Sequence, residues 1–364
     1  MKAEAYMILD LQYGSTGKGL LAGYLAKKYQ PDVVVTAWGP NAGHTYIDSD
    51  GRTFIHRMLA NGIVSPKLNA VLIGPGSVID IDCLEKEIME CKDIMKGKVL
   101  VIHPHAVVVT QVHRDIESRN VKIGSTMKGT GAAVIQRIER DPARSPVAKD
   151  TIPGSFYDKM AFNNIQCFCS KEMYSDMVGT ADLIQIEGAQ GFSLSIYHGF
   201  YPYTTSRDVT PAQVMADCAL PLNLRPLVYG TLRTYPIRVA NRYDANGNQI
   251  GTSGPCYSDQ NELKWEDIGL EPELTTVTKL PRRIFNFSYQ QLDEAIKQCA
   301  PDKVFLNFAN YLEPDEFINM ADTISYKYGD IIEWIGVGPT HCDVHTIDNF
   351  DIELLSKHKL KAVE

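Results

Sequence analysis

The sequence lacks two features that would each point to a particular class of protein. No stretch approaches the roughly 18 apolar residues that a membrane-spanning helix needs, and the apolar run near the start, Ala5 to Leu11, is too short and too early for a cleaved signal. The chain also has no excess of basic residues, because 36 Lys and Arg stand against 44 Asp and Glu and give a net charge of -8. A charge of that sign does not attract a nucleic acid backbone. We therefore expect a cytoplasmic protein with no membrane and no nucleic-acid partner.

Cysteine is present, but not in a recognisable pattern. The eight cysteines have neither the spacing of a disulfide framework nor paired CxxC motifs for structural zinc. Three short segments combine metal-binding residue types, 103–105, 167–169 and 341–345, but none has a second half at zinc spacing. The sequence therefore predicts reduced thiols and no transition-metal site.

Length and hydrophobic pattern indicate a large α/β protein. The chain has 364 residues, 44% of them hydrophobic, which suffices for a sizeable core. Short, continuous apolar runs are typical of strands buried on both faces; they are Tyr6–Leu11, Val33–Ala37, Ala70–Ile73, Lys98–Ile102, Leu183–Ile186, Leu227–Leu232, Lys303–Phe308 and Ile331–Ile335. Helical patterns lie between them, at Lys18–Tyr29, Asp80–Cys91, Ser288–Cys299 and Asp315–Tyr328. This alternation predicts a doubly wound, mostly parallel central sheet with helices on both faces and long active-site loops, in one large domain over residues 1–364.

A glycine-rich loop follows the first predicted strand. It reads GSTGKG from Gly14 to Gly19 and leads into an apolar helix. Glycines let the backbone turn tightly and present N–H groups to an anion, the helix N-terminus adds the positive end of its dipole, and Lys18 supplies a charge. The loop is not a standard Walker A, because only two residues separate Gly14 from the GK pair and no Ser or Thr follows the lysine. We expect this loop to bind phosphate.

Further polar segments follow other predicted strands. WGPNAGHT, from Trp38 to Thr45, comes directly after the second strand, and its His44 can exchange a proton near neutral pH. GSTMKGTG from Gly124, EGAQG from Glu187 and YPYTTS from Tyr201 join glycines to hydroxyl or amide groups. Such groups suit a monoester phosphate and the edges of a base. Each alone could be a turn, but together with the phosphate loop they predict a nucleotide site.

Taken in order, these segments resemble the adenylosuccinate synthetase family over nearly the whole chain. NAGHT, EGAQG and YPYTTS are intact. At the places of the family's GDEGKGK, GNG, STGRGIG, TTGRxRR, KLD and TGP stand GSTGKGL, Gly74-Pro75-Gly76, GSTMKGTG, TVTKLPRR, Phe308-Ala309-Asn310 and Gly338-Pro339. The resemblance implies a P-loop-related, doubly wound fold, a homodimer, Mg²⁺ and a ligation in two steps. A nucleoside triphosphate phosphorylates O6 of a 6-oxopurine nucleotide, and the amine of L-aspartate then displaces that phosphate.

The resemblance also assigns residues to ligands. Catalytic roles fall on Ser15, Lys18, His44 and Gln190, and Mg²⁺ on Ser15 and the Gly43 carbonyl. The donor triphosphate would be bound by Gly14, Ser15, Thr16, Gly17, Lys18, Gly19, Gly43, His44, Thr45, Asn307, Asn310, Gly338 and Pro339. The acceptor nucleotide would be bound by Ser15, Asn41, Ser125, Thr126, Arg140, Gln190, Thr205 and Val239, with Arg137 or Arg140 reaching across the dimer to the 5′-phosphate. Aspartate would be bound by Thr276, Val277, Thr278 and Arg282.

Three positions depart from the family pattern. Ser15 replaces the catalytic aspartate, and its hydroxyl is too weak an acid–base group to replace a carboxylate near neutral pH, although the smaller side chain leaves room for the 2-amino group of guanine. Asn310 ends a segment without the carboxylate that reads the guanine of GTP, which favours ATP or dATP as donor. Leu280 replaces an arginine that contacts the ribose 2′-OH, which favours a deoxyribose. The three departures resemble the phage-type branch, 2-aminoadenylosuccinate synthetase, which joins aspartate to dGMP on the route to a 2-aminoadenine DNA precursor, in the host cytoplasm.

Three interpretations compete at this point. The first is ligation of dGMP to aspartate with ATP or dATP. The second is ordinary adenylosuccinate synthesis from IMP, aspartate and GTP with a shifted base. The third is a catalytically inactive nucleotide-binding regulator, which the arginine-bearing aspartate loop disfavours, because a sensor of nucleotide needs no aspartate site.

Restoring the carboxylate by Ser15→Asp tests how position 15 selects the purine. We expect kcat/KM for dGMP to fall relative to IMP by about tenfold or more, because the carboxylate both restores a base at N1 and fills the space near the 2-amino group. Phosphate release with each acceptor measures the ratio, and Ser15→Asn separates bulk from charge. An unchanged preference would show that position 15 does not set the substrate.

Overall fold

The structure, a computed structural model, describes residues 3–120, 128–141, 143–144, 146–244, 246, 248–274 and 280–359. Its strands are β1 (Glu4–Asp10), β2 (Val33–Thr36), β3 (His44–Ile47), β4 (Thr53–His56), β5 (Ala70–Ile73), β6 (Val78–Ile79), β7 (Val99–Ile102), β8 (Val107–Val108), β9 (Gln166–Cys169), β10 (Leu183–Glu187), β11 (Leu227–Arg233), β12 (Ile237–Arg238), β13 (Arg242–Tyr243), β14 (Gln249–Gly251), β15 (Glu262–Leu263), β16 (Arg283–Phe285), β17 (Lys303–Asn307), β18 (Ile332–Gly336) and β19 (Val344–Thr346). Its α-helices are α1 (Lys18–Tyr29), α2 (Ile81–Glu90), α3 (Lys92–Met95), α4 (Gln111–Asn120), α5 (Thr130–Glu139), α6 (Ala148–Thr151), α7 (Gly154–Phe162), α8 (Lys171–Thr180), α9 (Pro211–Asp217), α10 (Tyr289–Cys299), α11 (Pro314–Tyr328) and α12 (Glu353–Lys359).

A ten-stranded sheet organises the molecule, in the order β19-β18-β17-β11-β1-β10-β2-β5-β7-β9. Every neighbouring pair is parallel except β18 and β19, which are antiparallel. The chain builds outward from β1 to β9, returns to insert β10 beside β1, and then builds outward on the other side from β11. The direction of winding therefore reverses around β1, and ligands of doubly wound sheets bind beyond the carboxyl ends of strands at such a point.

Both faces of this sheet are covered by apolar side chains. Along β1, Tyr6 and Ile8 pack into one cluster with α1, while Met7 and Leu9 pack into a second cluster with α8 and α9. Successive side chains of a strand point to opposite faces, so a strand that is apolar at every position needs a layer on each side. A third cluster joins β17 and β18 to α10, α11 and α12.

The predicted fold class is confirmed. All eight apolar runs are strands of the main sheet, and the four predicted helices correspond to α1, α2, α10 and α11. Two of these helices are capped by a side chain at their first turn, since Asp80 accepts from the Cys83 N–H at 3.2 Å and Ser288 from the Gln291 N–H at 2.8 Å. The sequence pattern missed β9 and β19, because edge strands lack a continuous apolar run.

The described helices and the cysteines bear on two of the predictions. Within the described ranges, the helices are all too short or too polar to cross a membrane. The eight cysteines are free thiols, and burial raises the pKa of Cys83, Cys91 and Cys167 to about 12.

The segments singled out in the sequence lie at one end of the sheet. The phosphate loop follows β1, the NAGHT segment follows β2 and runs into the β3–β4 hairpin, and EGAQG begins at the end of β10. Arg233 ends β11, Asn307 ends β17, and Gly336 ends β18. Parallel strands bring all of these carboxyl ends to the same edge, which creates the candidate site.

Candidate active site

The phosphate loop turns sharply between β1 and α1. Gly14, Ser15 and Gly17 all have positive φ, at 97°, 58° and 93°. A Cβ on Gly17 would lie 2.1 Å from the Asn307 amide nitrogen, and a Cβ on Gly19 would lie 2.7 Å from the Thr45 main-chain nitrogen. Glycine is therefore required at 17 by both conformation and space. The loop leaves the first N–H groups of α1 without helical partners, which is the arrangement that binds phosphate.

Two residues of the loop turn inward while Ser15 is exposed. Lys18 is 6% exposed, and its ammonium donates to Asp10 at 2.9 Å. The Thr16 hydroxyl is buried between Asp10 and Thr231, at 2.5 Å from each. Of the loop side chains from 15 to 18, the serine is thus the exposed one.

His44 is a buried, neutral imidazole beside this loop. Its ring lies edge-on to Trp38 with centroids 4.2 Å apart, and its Nδ1 is 4.0 Å from the Glu187 carboxylate, beyond hydrogen-bond distance. Burial lowers the pKa of His44, the nearby Lys18 ammonium lowers it further, and Glu187 opposes both. A neutral imidazole can both accept and donate a proton, as proton transfer at a purine oxygen requires.

The EGAQG loop packs directly on the phosphate loop. A Cβ on Gly191 would lie 2.3 Å from both the Gln12 carbonyl oxygen and the Gly14 nitrogen, so no side chain fits there. Gln190 directly precedes Gly191 and has a positive φ of 67°. The amide-bearing residue therefore lies beside this close contact. Glu187 accepts from the main-chain N–H groups of Asn61 and Gly62, at 3.0 and 2.7 Å. The carboxylate of this motif is therefore used in holding the loops together.

An ion pair with a buried arginine connects the phosphate loop to the segment that precedes the predicted aspartate loop, residues 276–283. Arg233 is fully buried; it pairs with Glu273 at 2.5 Å and donates to the Ser15 carbonyl at 3.1 Å. Its guanidinium also lies 3.9 Å from the centre of the Phe308 ring. Burial by itself would raise the pKa of Glu273, but Arg233, together with Arg282 and the Tyr311 hydroxyl, holds that pKa below its ordinary value. Arg282 is part of the same environment, since its N–H donates to the Glu273 carbonyl at 2.8 Å.

The comparisons with known proteins agree with this geometry. A profile of the adenylosuccinate synthetase family matches residues 7–162 and 159–337. The chain belongs to this family. It is 51% identical over 362 residues to the N6-succino-2-amino-2′-deoxyadenylate synthase of Acinetobacter phage SH-Ab 15497, covering 94% of this chain and 93% of that protein. It is 30% identical over 314 residues to the adenylosuccinate synthetase of Methanococcus vannielii, covering 85% of each.

A solved structure of the same family matches the whole chain. It is the succinoaminodeoxyadenylate synthetase of cyanophage S-2L, bound to dGMP and dATP as an energy donor. The two proteins are 42% identical and superpose with a TM-score of 0.86 over 100% of each chain.

The residues predicted for the donor nucleotide converge on one side of the site. Asn307 donates from its amide to the Thr16 carbonyl at 3.2 Å and accepts from the Phe308 N–H at 2.8 Å, so it ties β17 to the phosphate loop. Asn310 is 9% exposed in the short helical turn Ala309–Tyr311. Gly338 and Pro339 follow β18, and the next residue, Thr340, bridges to Ile47 of the β3–β4 hairpin.

The residues predicted for the acceptor nucleotide are described in part. A Cβ on Gly39 would lie 2.9 Å from the Thr130 methyl and 3.3 Å from the Asn41 amide oxygen, so the NAGHT segment packs against the start of α5. Thr205 is partly exposed. Val239 is exposed, and so is Arg140 at the end of α5. Arg137 instead donates to the Pro75 carbonyl at 2.6 Å in its own chain. Ser125 and Thr126 lie outside the described residues.

The aspartate loop is described only at its edges. Thr276, Val277 and Thr278 lie outside the described residues. Leu274 and Pro281 form a bridge on either side of them, and Leu280 is 38% exposed. Burial lowers the pKa of Arg282, and Glu273 opposes this effect; a guanidinium nonetheless keeps its charge in proteins and can bind a carboxylate.

The site offers hard oxygen atoms for magnesium. Ser15 and Gly43 are both exposed, and a Cβ on Gly43 would meet nothing within 4 Å, so there is open space beside it. Within the described ranges, no three His, Cys, Asp or Glu side chains are grouped to hold a metal ion. A hydroxyl and a carbonyl oxygen fit Mg²⁺ only together with substrate phosphates and water, which is how this ion is commonly bound.

Sequence reasoning missed four residues that organise the site. They are Asp10, Arg207, Arg233 and Glu273. Arg207 directly follows YPYTTS and donates to the carbonyls of Ala37 and Gly76, so it braces the ends of β2 and β5. Asp10 lies within the apolar run Tyr6–Leu11, and Arg233 directly follows the run Leu227–Leu232. A charged residue at such a position is the signal that could have identified them.

Removing the charge of Glu273 tests the ion pair that holds the site together. Glu273→Gln leaves Arg233 buried without a counter-ion, and we expect a loss of about 3 kcal/mol in the free energy of unfolding. The matched control is Glu262→Gln, which removes the partner of Arg283 in a pair whose carboxylate is 45% exposed; it should cost less than about 1 kcal/mol. Urea denaturation measures both, and equal losses would contradict a special role for the buried pair.

Proposed function

We propose that this protein is a ligase that joins L-aspartate to C6 of dGMP at the expense of ATP or dATP. The reaction passes through a 6-phosphoryl intermediate and gives N6-succino-2-amino-2′-deoxyadenylate, a precursor of 2-aminoadenine DNA, in the cytoplasm. The observation that carries the proposal is the exposed Ser15 in the phosphate loop, where the family pattern has a carboxylate. The identity to the phage synthase, at 51% against 30% for the archaeal adenylosuccinate synthetase, supports it.

The first step of this reaction is phosphoryl transfer to O6 of the purine. An amide-like O6 is a poor leaving group, and a phosphate ester in its place permits displacement by an amine. The loop N–H groups and the Lys18 ammonium would stabilise the charge on the transferring group. His44, kept neutral by burial, would exchange a proton at O6. When bound, Mg²⁺ would neutralise phosphate charge, with Ser15 and Gly43 among its ligands.

The second step requires an aspartate beside the activated purine. Arg282 supplies a charged group for a substrate carboxylate, and its backbone is held to Glu273. Glu273 pairs with Arg233, and Arg233 binds the Ser15 carbonyl. These contacts fix the aspartate loop and the phosphate loop relative to each other. Such an arrangement brings the attacking amine and the C6 phosphate together, which is the main contribution that positioning makes to a two-substrate reaction.

The donor and acceptor preferences follow from Asn310 and Leu280. Asn310 presents no carboxylate to the N1–H and 2-amino group of a guanine, so the site has no reason to exclude an adenine donor. Leu280 provides no donor for a ribose 2′-OH, which favours the deoxyribose of dGMP.

A dimer completes this proposal. α4 packs against α5, and each helix has an exposed apolar pair at helical spacing, Val112 with Ile116 and Ile135 with Ile138. Apolar side chains grouped on an exposed face are typical of interfaces. Arg140 directly follows α5, and in this proposal it would reach the 5′-phosphate in the partner's site.

The substrate assignment is tested by product formation. Each pairing of dGMP, GMP or IMP with ATP, dATP or GTP is incubated with aspartate and Mg²⁺, and phosphate release is followed together with the mass of the product. We expect turnover with dGMP and an adenine donor, and kcat/KM at least about tenfold lower for IMP with GTP. Turnover confined to IMP with GTP would overturn the proposal, and no turnover with any pairing would favour the regulator.

The dimer is tested by mixing inactive variants. Lys18→Ala and Arg140→Ala should each retain only a small residual activity, but mixed and re-equilibrated chains should recover about a quarter of the wild-type activity, because half of the dimers then contain one intact site. Arg137→Ala is the control: it removes a contact within one chain, so mixing it with Lys18→Ala should restore nothing. Recovery with Arg137→Ala alone would show that the other arginine crosses.

A further inference from the structure

Asp10 lies beneath the phosphate loop, at the end of β1. Its carboxylate is 0% exposed and accepts four hydrogen bonds. Oδ1 accepts from the main-chain N–H groups of Gln12 and Gly14, at 2.9 and 3.1 Å. Oδ2 accepts from the Lys18 ammonium at 2.9 Å and the Thr16 hydroxyl at 2.5 Å. One oxygen therefore binds the backbone of the loop, and the other binds its side chains.

The backbone of the loop has further anchors that do not involve Lys18. The Gln12 side chain accepts from the Arg233 N–H at 2.9 Å and donates to the Arg233 carbonyl at 3.2 Å. Asn307 and Arg233 bind the carbonyls of Thr16 and Ser15. Because β11 and β17 already hold the loop, the contact between Oδ2 and Lys18 is not needed to shape it.

Lys18 needs a counter-ion where it lies. A buried ammonium is costly unless it is paired, and within the described ranges Asp10 is the carboxylate that lies within 4.0 Å of its nitrogen. His44 is kept neutral by burial, and Glu187 is bound to the N–H groups of Asn61 and Gly62. Asp10 is thus the direct charge partner of the lysine that the proposed reaction depends on.

We propose that Asp10 is a positioning residue, which holds the Lys18 ammonium fixed beneath the loop so that it meets the phosphoryl group during transfer. The proposal rests on the proposed function for the identity of that group. Asp10 does not contact substrate, because its carboxylate is closed off by its four donors. Its negative charge also opposes the attraction of Lys18 for a triphosphate in the ground state. Asp10 therefore weakens the binding of the donor triphosphate but fixes the position of the Lys18 charge.

The variant Asp10→Asn separates these two effects. With its oxygen at the Oδ1 position, asparagine keeps both backbone bonds and places an amide against Lys18 and Thr16. We expect kcat to fall at least about tenfold while KM for ATP stays the same or falls, since an interaction that matters only in the transition state is lost. Damage to the loop would raise KM instead, and calorimetric titration of ATP in the absence of acceptor checks the ground-state affinity.

The matched control is Asp32→Asn. Asp32 accepts from the main-chain N–H groups of Asp182 and Leu183, at 3.2 and 2.7 Å, immediately before β2 and thus at the opposite end of the sheet. Its carboxylate has a structural role similar to that of Oδ1. We expect Asp32→Asn to leave kcat and KM unchanged.

A double-mutant cycle with Lys18→Met decides whether Asp10 acts through the lysine. Asp10→Asn in a Lys18→Met background should cause no further loss of kcat, whereas independent effects would multiply. If Asp10→Asn fails to fold, the double variant is compared with Lys18→Met alone, because it removes both buried charges and should fold. Equal kcat for these two would support a role through Lys18, and a further loss would overturn it.

The outcomes distinguish this proposal from the proposed function. Wild-type enzyme is assayed first, and the cycle is run with whichever acceptor and donor it uses, so a failure of dGMP as substrate leaves the test of Asp10 intact. Three outcomes would each overturn the role of Asp10. Asp10→Asn could raise KM with kcat unchanged, its effect could multiply with that of Lys18→Met, or it could equal the wild-type enzyme.

Discussion

The site depends on the close packing of three loops at the end of the sheet: the phosphate loop, the β3–β4 hairpin and the EGAQG loop. The phosphate loop must reverse direction between β1 and α1 while Asn307, the β3 hairpin and the EGAQG loop press against it. Gly17, Gly19 and Gly191 are the positions where a Cβ would lie within 2.7 Å of these neighbours. Close approach brings main-chain N–H groups, Lys18 and His44 into one small volume, and each of the other ligand-binding segments is positioned relative to it.

Buried and partly buried charges stabilise this crowded end of the sheet because each has a partner. Asp10 pairs with Lys18, Glu273 with Arg233, and Asp217 with Arg207. The pairs connect elements far apart in the chain, since Arg233 alone joins the end of β11 to the phosphate loop, the start of the aspartate segment and the Phe308 ring. Desolvated charges interact strongly and accept few alternative arrangements, so Arg233 and Arg207, which also bind main-chain carbonyls, define where the loops lie.

Much of the fold could be predicted from local pattern, and parts of the site could not. Apolar runs identified the eight strands covered on both faces. They did not identify the edge strands β9 and β19, because the exposed side of an edge strand needs no apolar residue. The phosphate loop, NAGHT and EGAQG carry their chemistry in contiguous residues, so the sequence revealed them. Asp10 pairs with a lysine 8 positions away, and Arg233 pairs with a glutamate 40 positions away and binds a carbonyl 218 positions away. No local pattern records such pairing.

The sequence alone determined that position 15 carries a hydroxyl and not a carboxylate, that positions 310 and 280 carry Asn and Leu, and that strands alternate with helices. These are properties of single residues or of short periods, and they do not depend on what else is nearby. Only the tertiary structure decided that a carboxylate nevertheless lies beneath the phosphate loop, at Asp10, and that it faces Lys18 and not the solvent. The reason is physical: whether a carboxylate is a base, a metal ligand or a counter-ion depends on its burial and on the donors around it, which the folded chain alone brings together.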